Sequence, residues 1–244
     1  MRSKLITTLL IFLLSISLTI LITSASLEKM TRYENLKPLL ENSLKKFLEK
    51  NLKNEIAEIE NFCEKTNETF SLTIFNKTIN ITCQNYSRDV MLEKLASSFI
   101  DSFYYKKYNC SFVECLKKDL KRNSPILISK EGNLFYKRVK KTAATSILFL
   151  LILLGLLYSS RVHKLLILVG SWLIFLSLPL IITPYFQDNF LEFFAGTRGI
   201  EVIVPLLSEF LNLTQSYAKI CLAIGTCILG VGYLLKYHFK RKSS

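Results

Sequence analysis

The chain has 244 residues, half of them apolar, a mean hydropathy of +0.30 and a formal net charge of +13. Leu, Ile and Phe are too abundant for a disordered tail, and 8 Gly with 5 Pro exclude a collagen or a Gly/Pro low-complexity chain. The apolar residues gather in long uncharged blocks, which argues against a soluble globular enzyme.

The first block, Leu5–Leu27, has no Asp, Glu, Lys or Arg. About 20 apolar helical residues cross roughly 30 Å of hydrocarbon, so this block is long enough to span. Arg2 and Lys4 before it, and Thr23-Ser24-Ala25 within it, are also features of a signal peptide. A signal core is usually only about 7–15 residues long, and a retained anchor is the favoured reading.

From Pro38 to Phe62, Leu40, Leu44, Phe47, Leu48, Leu52, Ile56 and Ile59 recur at intervals of three and four, which predicts an amphipathic helix. Pro38 suits its first turn. Phe70, Leu72 and Ile74 then alternate with polar residues, as do Ile79, Ile81 and Cys83, with Asn76-Lys77 between them. This predicts a β-hairpin whose turn lacks glycine. A second helix is predicted from Arg88 to Tyr105, with Met91, Leu95, Phe99 and Phe103 on one stripe. Ser111 and Glu114 have capping-box spacing ahead of a short helix reaching about Leu120.

Three more uncharged blocks follow: Thr142–Ser160, Leu165–Gln187 and Ile220–Leu235. The last is short, but extends through Leu211, Leu213 and Tyr217 if Lys219 snorkels to the interface. Pro179 and Pro184 predict a kink and then a stop at the end of the third span. Between spans three and four, the segment 189–211 reads as an interfacial or re-entrant piece, since its apolar stretch Ile200–Leu211 is too short to cross. Ala223, Gly225, Cys227, Gly230 and Gly232 in the fourth span allow close helix contact.

Charge sets the expected orientation. Arg2, Lys4, Arg161, Lys164, Lys236, Lys240, Arg241 and Lys242 all fall on one side of a four-span layout. Lys and Arg in short loops mark the cytoplasmic face, so both termini are expected there and residues 28–141 outside. Lys137-Arg138-Val139-Lys140-Lys141 lies on the other side, but long translocated domains largely ignore the rule.

Cys63, Cys83, Cys110 and Cys115 fall in that outer segment, and an even count in a translocated domain predicts disulfides. Folding the hairpin back onto the helix end favours Cys63 with Cys83, leaving Cys110 with Cys115. Asn-x-Ser/Thr occurs at Asn67, Asn76, Asn80, Asn85, Asn109 and Asn212, against roughly two expected from composition. All six fall on the side that the charges put outside, and they are glycosylation candidates.

The expected fold is therefore a mainly α-helical membrane protein. Four transmembrane helices carry a small disulfide-stabilised α+β extracytoplasmic domain inserted between spans 1 and 2. Residues 1–27 form the anchor, 28–141 the outer domain and 142–244 a three-span membrane domain. The composition, rich in Lys, Ile, Asn and Leu, suits an AT-rich genome. An archaeal plasma membrane is favoured over a eukaryotic endomembrane.

Catalytic chemistry is sparse. The two histidines, His163 and His238, lie on the predicted cytoplasmic face, and no zinc spacing, phosphate loop or nucleophile elbow is present. No cofactor, metal or catalytic residue is expected. Glu55, Glu58 and Glu60 read as the solvated face of a helix. Tyr104-Tyr105-Lys106-Lys107-Tyr108 mixes aromatic and basic residues, but reads as a helix end with half-buried rings, not as a nucleic-acid site. Membrane thiol oxidoreductases use a Cys-x-x-Cys type of pair, which this chain lacks; Cys110-x4-Cys115 is the nearest approach. The expected role is a non-enzymatic multi-pass membrane protein whose outer domain binds or scaffolds another envelope component, a protein or a polymer. An oligomeric channel or transporter subunit is the first alternative, and a thiol oxidoreductase the second.

Overall fold

The computed structural model describes residues 2–51, 53–66, 68–74, 77–83, 87–118, 124–186 and 200–242. The chain is mostly helical: α1 (Arg2–Met30), α2 (Tyr33–Asn51), α3 (Lys53–Lys65), β1 (Thr69–Ile74), β2 (Lys77–Thr82), α4 (Arg88–Tyr104), α5 (Phe112–Lys118), α6 (Lys130–Leu157), α7 (Val162–Ile182) and α8 (Ile200–Lys242). Short 3₁₀ turns occupy Ser124–Ile128 and Thr183–Phe186. Four stretches are long and apolar enough to cross a membrane: Leu5–Met30, Lys130–Leu157, Val162–Ile182 and Val204–Phe239. The described residues divide into two compact units. One holds α1 to Lys29, residues 134–186 and α8 from Ser208. The other holds residues 30–133 and α8 up to Leu207.

In the first unit, α1 buries one stripe. Thr7, Leu10, Leu14, Leu18, Ile22 and Ser26 follow one another at steps of three and four, and each is under 9% exposed. Leu5, Leu9, Phe12 and Ile16 on the remaining faces are exposed. Leu10 and Leu14 pack with Leu150 and Leu154 of α6, and Leu165 and Trp172 of α7 join them. Lipid tails are as apolar as leucine, so helix association rests on close packing and interhelical hydrogen bonds. Helix α1 makes such bonds to every other helix of the unit. Trp172 Nε1 donates to Ser15 Oγ at 2.6 Å, and Thr214 Oγ1 donates to Ser26 Oγ at 3.1 Å. The hydroxyls of Ser17 and Ser146 lie 3.3 Å apart. Lys140 Nζ pairs with the carboxylate of the buried Glu28.

Helices α7 and α8 meet backbone to backbone. A Cβ added to Gly170 would sit 2.7 Å from the Leu229 nitrogen and 2.8 Å from the Gly225 carbonyl oxygen. Gly225 and Gly232 face Leu173 and Ile167 at 2.9 Å in the same sense, whereas Gly230 faces open space. Gly225 and Gly232 are thus used within the chain. Gln215 Nε2 adds a bond to the Ile181 carbonyl at 3.1 Å, where the 3₁₀ turn with Pro184 closes α7.

In the second unit, α2 and α3 pack on α4. Leu48, Ile56 and Ile59 bury against Met91, Leu92, Leu95, Ala96 and Phe99, with Cys63 and Phe70 at the margin. Each of the larger side chains among them, taken fully from water, contributes roughly 1.5–3 kcal/mol. Strands β1 and β2 pair antiparallel with Phe70 opposite Ile81, Leu72 opposite Ile79 and Ile74 opposite Lys77, so Lys77, expected in the turn, is instead the first residue of β2. Residue 76 of the expected turn lies outside the described residues.

The expected helix over 38–62 is helical on both sides of residue 52, as α2 and α3, and residue 52 lies outside the described residues. Two further expectations are corrected. Pro38 is the sixth residue of α2 rather than a first-turn residue, because Asn35 and Leu36 already bond to the Arg32 carbonyl. Phe103 is 37% exposed, and the buried face of α4 turns instead to Ile100 and Tyr104. Residues 200–211, expected as an interfacial or re-entrant piece, are helical and run without a break into the fourth span as α8, through Pro205. No glycine interrupts 206–224, so helix propagates from one block into the next. Residues 187–199 lie outside the described residues.

Candidate functional site

Helices α2 and α4 of the second unit flank an open groove of about 440 Å³. Its walls carry five charges of both signs (Lys37, Glu41, Glu93, Lys94 and Asp101) with Ser97, Ser98 and the exposed Val90. The buried stripe of α4 fixes which residues face it. With Leu92, Leu95 and Ile100 turned inward, Glu93, Lys94, Ser97 and Ser98 turn outward. Lys45 engages Glu93 at 3.5 Å. Arg88 at the start of α4 reaches Glu49 at 2.9 Å and Glu60 at 3.7 Å, joining α4 to both neighbouring helices. These are surface pairs, each contributing about 0–1 kcal/mol.

One end of the groove is set by Tyr33. Its hydroxyl donates to Asp101 Oδ1 at 2.5 Å, its ring meets Tyr104 at 5.2 Å and Tyr105 at 5.6 Å, and Lys37 Nζ lies 5.7 Å from its centroid. The bond to Asp101, followed by burial, pushes the Tyr33 phenol up to about 12 from its ordinary 10.0. Burial raises the phenols of Tyr104 and Tyr108 as well. Tyr33→Phe should therefore lower stability by about 1 kcal/mol, the worth of one hydrogen bond. The neutral phenol is the form that folding favours. Its contribution is whole below pH 10.0 and is lost as the pH rises to about 12. Unfolding followed across that window should show a shallower alkaline decline in the variant, with the Tyr104 and Tyr108 share retained. An unchanged decline would remove Tyr33 from this role.

The cysteines predicted to pair lie at disulfide distance. The Cα atoms of Cys63 and Cys83 are 4.9 Å apart, and those of Cys110 and Cys115 are 5.5 Å apart. Cys63 stands in the last turn of α3, and the backbone N–H of Cys83 bonds to the Glu68 carbonyl, extending the hairpin ladder toward the helix end. Ser111 N–H bonds to Glu114 Oε2 at 3.0 Å, one half of the expected capping box. Cys221 and Cys227 of α8 are unpaired thiols.

Of the sequons, Asn80 and Asn109 are exposed, Asn80 accepting from Ser71 Oγ at 3.0 Å. Asn212 is exposed on α8, but its sequon threonine, Thr214, is buried and bonded to Ser26. Asn67, Asn76 and Asn85 lie outside the described residues. The Tyr104–Tyr108 patch resolves into a buried Tyr104, an exposed Tyr105 and a half-buried Tyr108. Among the described residues no three His, Cys, Asp or Glu side chains converge as a metal site. The groove itself, and the Tyr33–Asp101 bond that ends it, went unread in the sequence. The available sign was Asp101, a carboxylate next to Ile100 and two positions before Phe103.

Taken together, four helices apt to cross a bilayer and a second compact unit define the layout of a multi-pass membrane protein. No known protein family, curated protein or solved structure matches the chain.

Proposed function

We propose that the chain is a non-enzymatic membrane protein whose second unit faces outward and docks another envelope component through the groove between α2 and α4. The groove carries this reading. It holds charges of both signs, two hydroxyls and an apolar rim at Val90, chemistry suited to recognising a folded protein surface. In the orientation proposed, both termini lie in the cytoplasm and the sequons Asn80 and Asn109 face the glycosylating side. The polar contacts of α1 with three later helices support its retention as an anchor, since cleavage near Ala25 would remove the partners of Trp172 and Ser146.

The two alternatives fit less well. A channel built around the fourth span would draw on its glycines, and Gly225 and Gly232 are already taken up against α7. A thiol exchanger of the membrane type uses a Cys-x-x-Cys pair, and the nearest pair here, Cys110 and Cys115, is five residues apart.

A photoreactive amino acid placed at Val90, with the full chain expressed in its own membrane, tests the reading. A discrete protein adduct is expected, together with its loss in K37E/K94E, which inverts two groove charges. An adduct that survives charge inversion, or none at all, would sink the proposal.

A further inference from the structure

We infer that Lys137, Arg138 and Lys141 of α6 form a collar that binds the head groups of anionic phospholipids. The inference rests on the membrane-spanning reading of α6. At about 100° per residue these three cations fall, with the exposed Leu148, Ile152 and Leu156, inside one arc of about 100°. Buried Tyr136, Ala143, Leu150 and Leu154 occupy the opposite side of the helix, toward the rest of its unit. The basic residues therefore continue the very face that α6 turns to lipid.

Depth agrees with direction. Helix α6 has 28 residues, more than the roughly 20 needed to cross hydrocarbon. Counting about 20 residues back from Leu157 reaches Arg138, so Lys137 and Arg138 stand at the hydrocarbon boundary and Lys141 within one turn of it, all three in snorkelling reach of the lipid phosphates. The pattern is also selective. Lys140, on the inward side, pairs with Glu28, whereas no described acidic side chain pairs with Lys137, Arg138 or Lys141. Three outward cations within reach of the phosphates on a lipid-facing helix complement anionic head groups and nothing else that this face meets. Juxtamembrane cations attract such lipids by roughly fivefold in association per residue.

The test uses the full chain reconstituted in vesicles of phosphatidylglycerol and phosphatidylcholine, with each lipid spin-labelled in turn. The motionally restricted fraction reports which lipid sits against the protein. Wild type should prefer phosphatidylglycerol, and K137Q/R138Q/K141Q should lose much of that preference, by roughly fivefold for each cation acting alone. K46Q/K53Q/K117Q removes the same net charge from exposed sites of the second unit outside the groove and should leave the preference unchanged. A preference retained by the first triple variant, lost equally by the second, or absent in wild type would overturn the collar. If neither lipid shows a restricted fraction, the membrane-spanning reading itself fails, a result distinct from lost selectivity.

Discussion

Gly170→Val should destabilise the helical unit by about 3 kcal/mol, the upper part of the range for overpacking a tight contact. The added atoms would meet the Leu229 nitrogen at 2.7 Å and the Gly225 carbonyl oxygen at 2.8 Å, and neither is a side-chain end that can swing aside. Helix α7 must then back away from α8, and the loss spreads to the Gln215 bond at the Ile181 carbonyl. Gly225→Val should cost less, because one of its neighbours is the Leu173 side chain. Gly230→Val has nothing within 4 Å to strike and should be close to neutral. Thermal unfolding in detergent, followed by reaction of the half-buried Cys221 with a thiol dye, ranks the three variants. Equal melting of the Gly170 and Gly230 variants would refute the close contact.

Cys63→Ala should remove about 3 kcal/mol from the second unit, the chain-entropy value for a loop closed by cysteines 20 residues apart. A domain of this size has roughly 5–15 kcal/mol in total, so the lowered melting temperature should be plain. The effect is not confined to entropy. Cys63 packs against the core of Leu48, Ile59 and Leu95, and the bond carries the hairpin to that core. Cys83, 4% exposed, should become open to alkylation once its partner is gone and the hairpin loosens. Peptide mapping without reductant checks the pairing directly. Cys63 joined to Cys110 or Cys115, or a variant as stable as wild type, would count against it.

What could be read from the sequence follows the reach of each signal. Hydropathy over 20 residues located four spans, because crossing a bilayer demands a length that little else demands. Alternation located both strands, because the side-chain period of a strand is two, but not their register, which takes Lys77 from the expected turn into β2. Signals failed where no local pattern was decisive. The continuity of α8 was hidden by Glu201 and Pro205, which resemble a boundary but lie early enough in the helix to be tolerated. The small residues of the fourth span were legible as a class, yet only their partners on α7 separate Gly225 from Gly230. Tyr33 and Asp101 are 68 residues apart, and nothing in either neighbourhood announces the other.

The part played by α1 bears on how the chain is made. Helix α1 leaves the ribosome before α6, and Lys140, the partner of Glu28, follows 112 residues later. At roughly 5–20 residues per second that delay is on the order of ten seconds. The serines are equipped for the interval. Ser15 Oγ donates to the Ile11 carbonyl at 2.9 Å and Ser26 Oγ to the Ile22 carbonyl at 3.0 Å, so each has its proton engaged within its own helix before any other helix exists. Only their lone pairs wait, for the indole of Trp172 and the hydroxyl of Thr214. The first helix can thus enter the bilayer with its hydroxyls already satisfied as donors and serve as the template on which three later arrivals find their register.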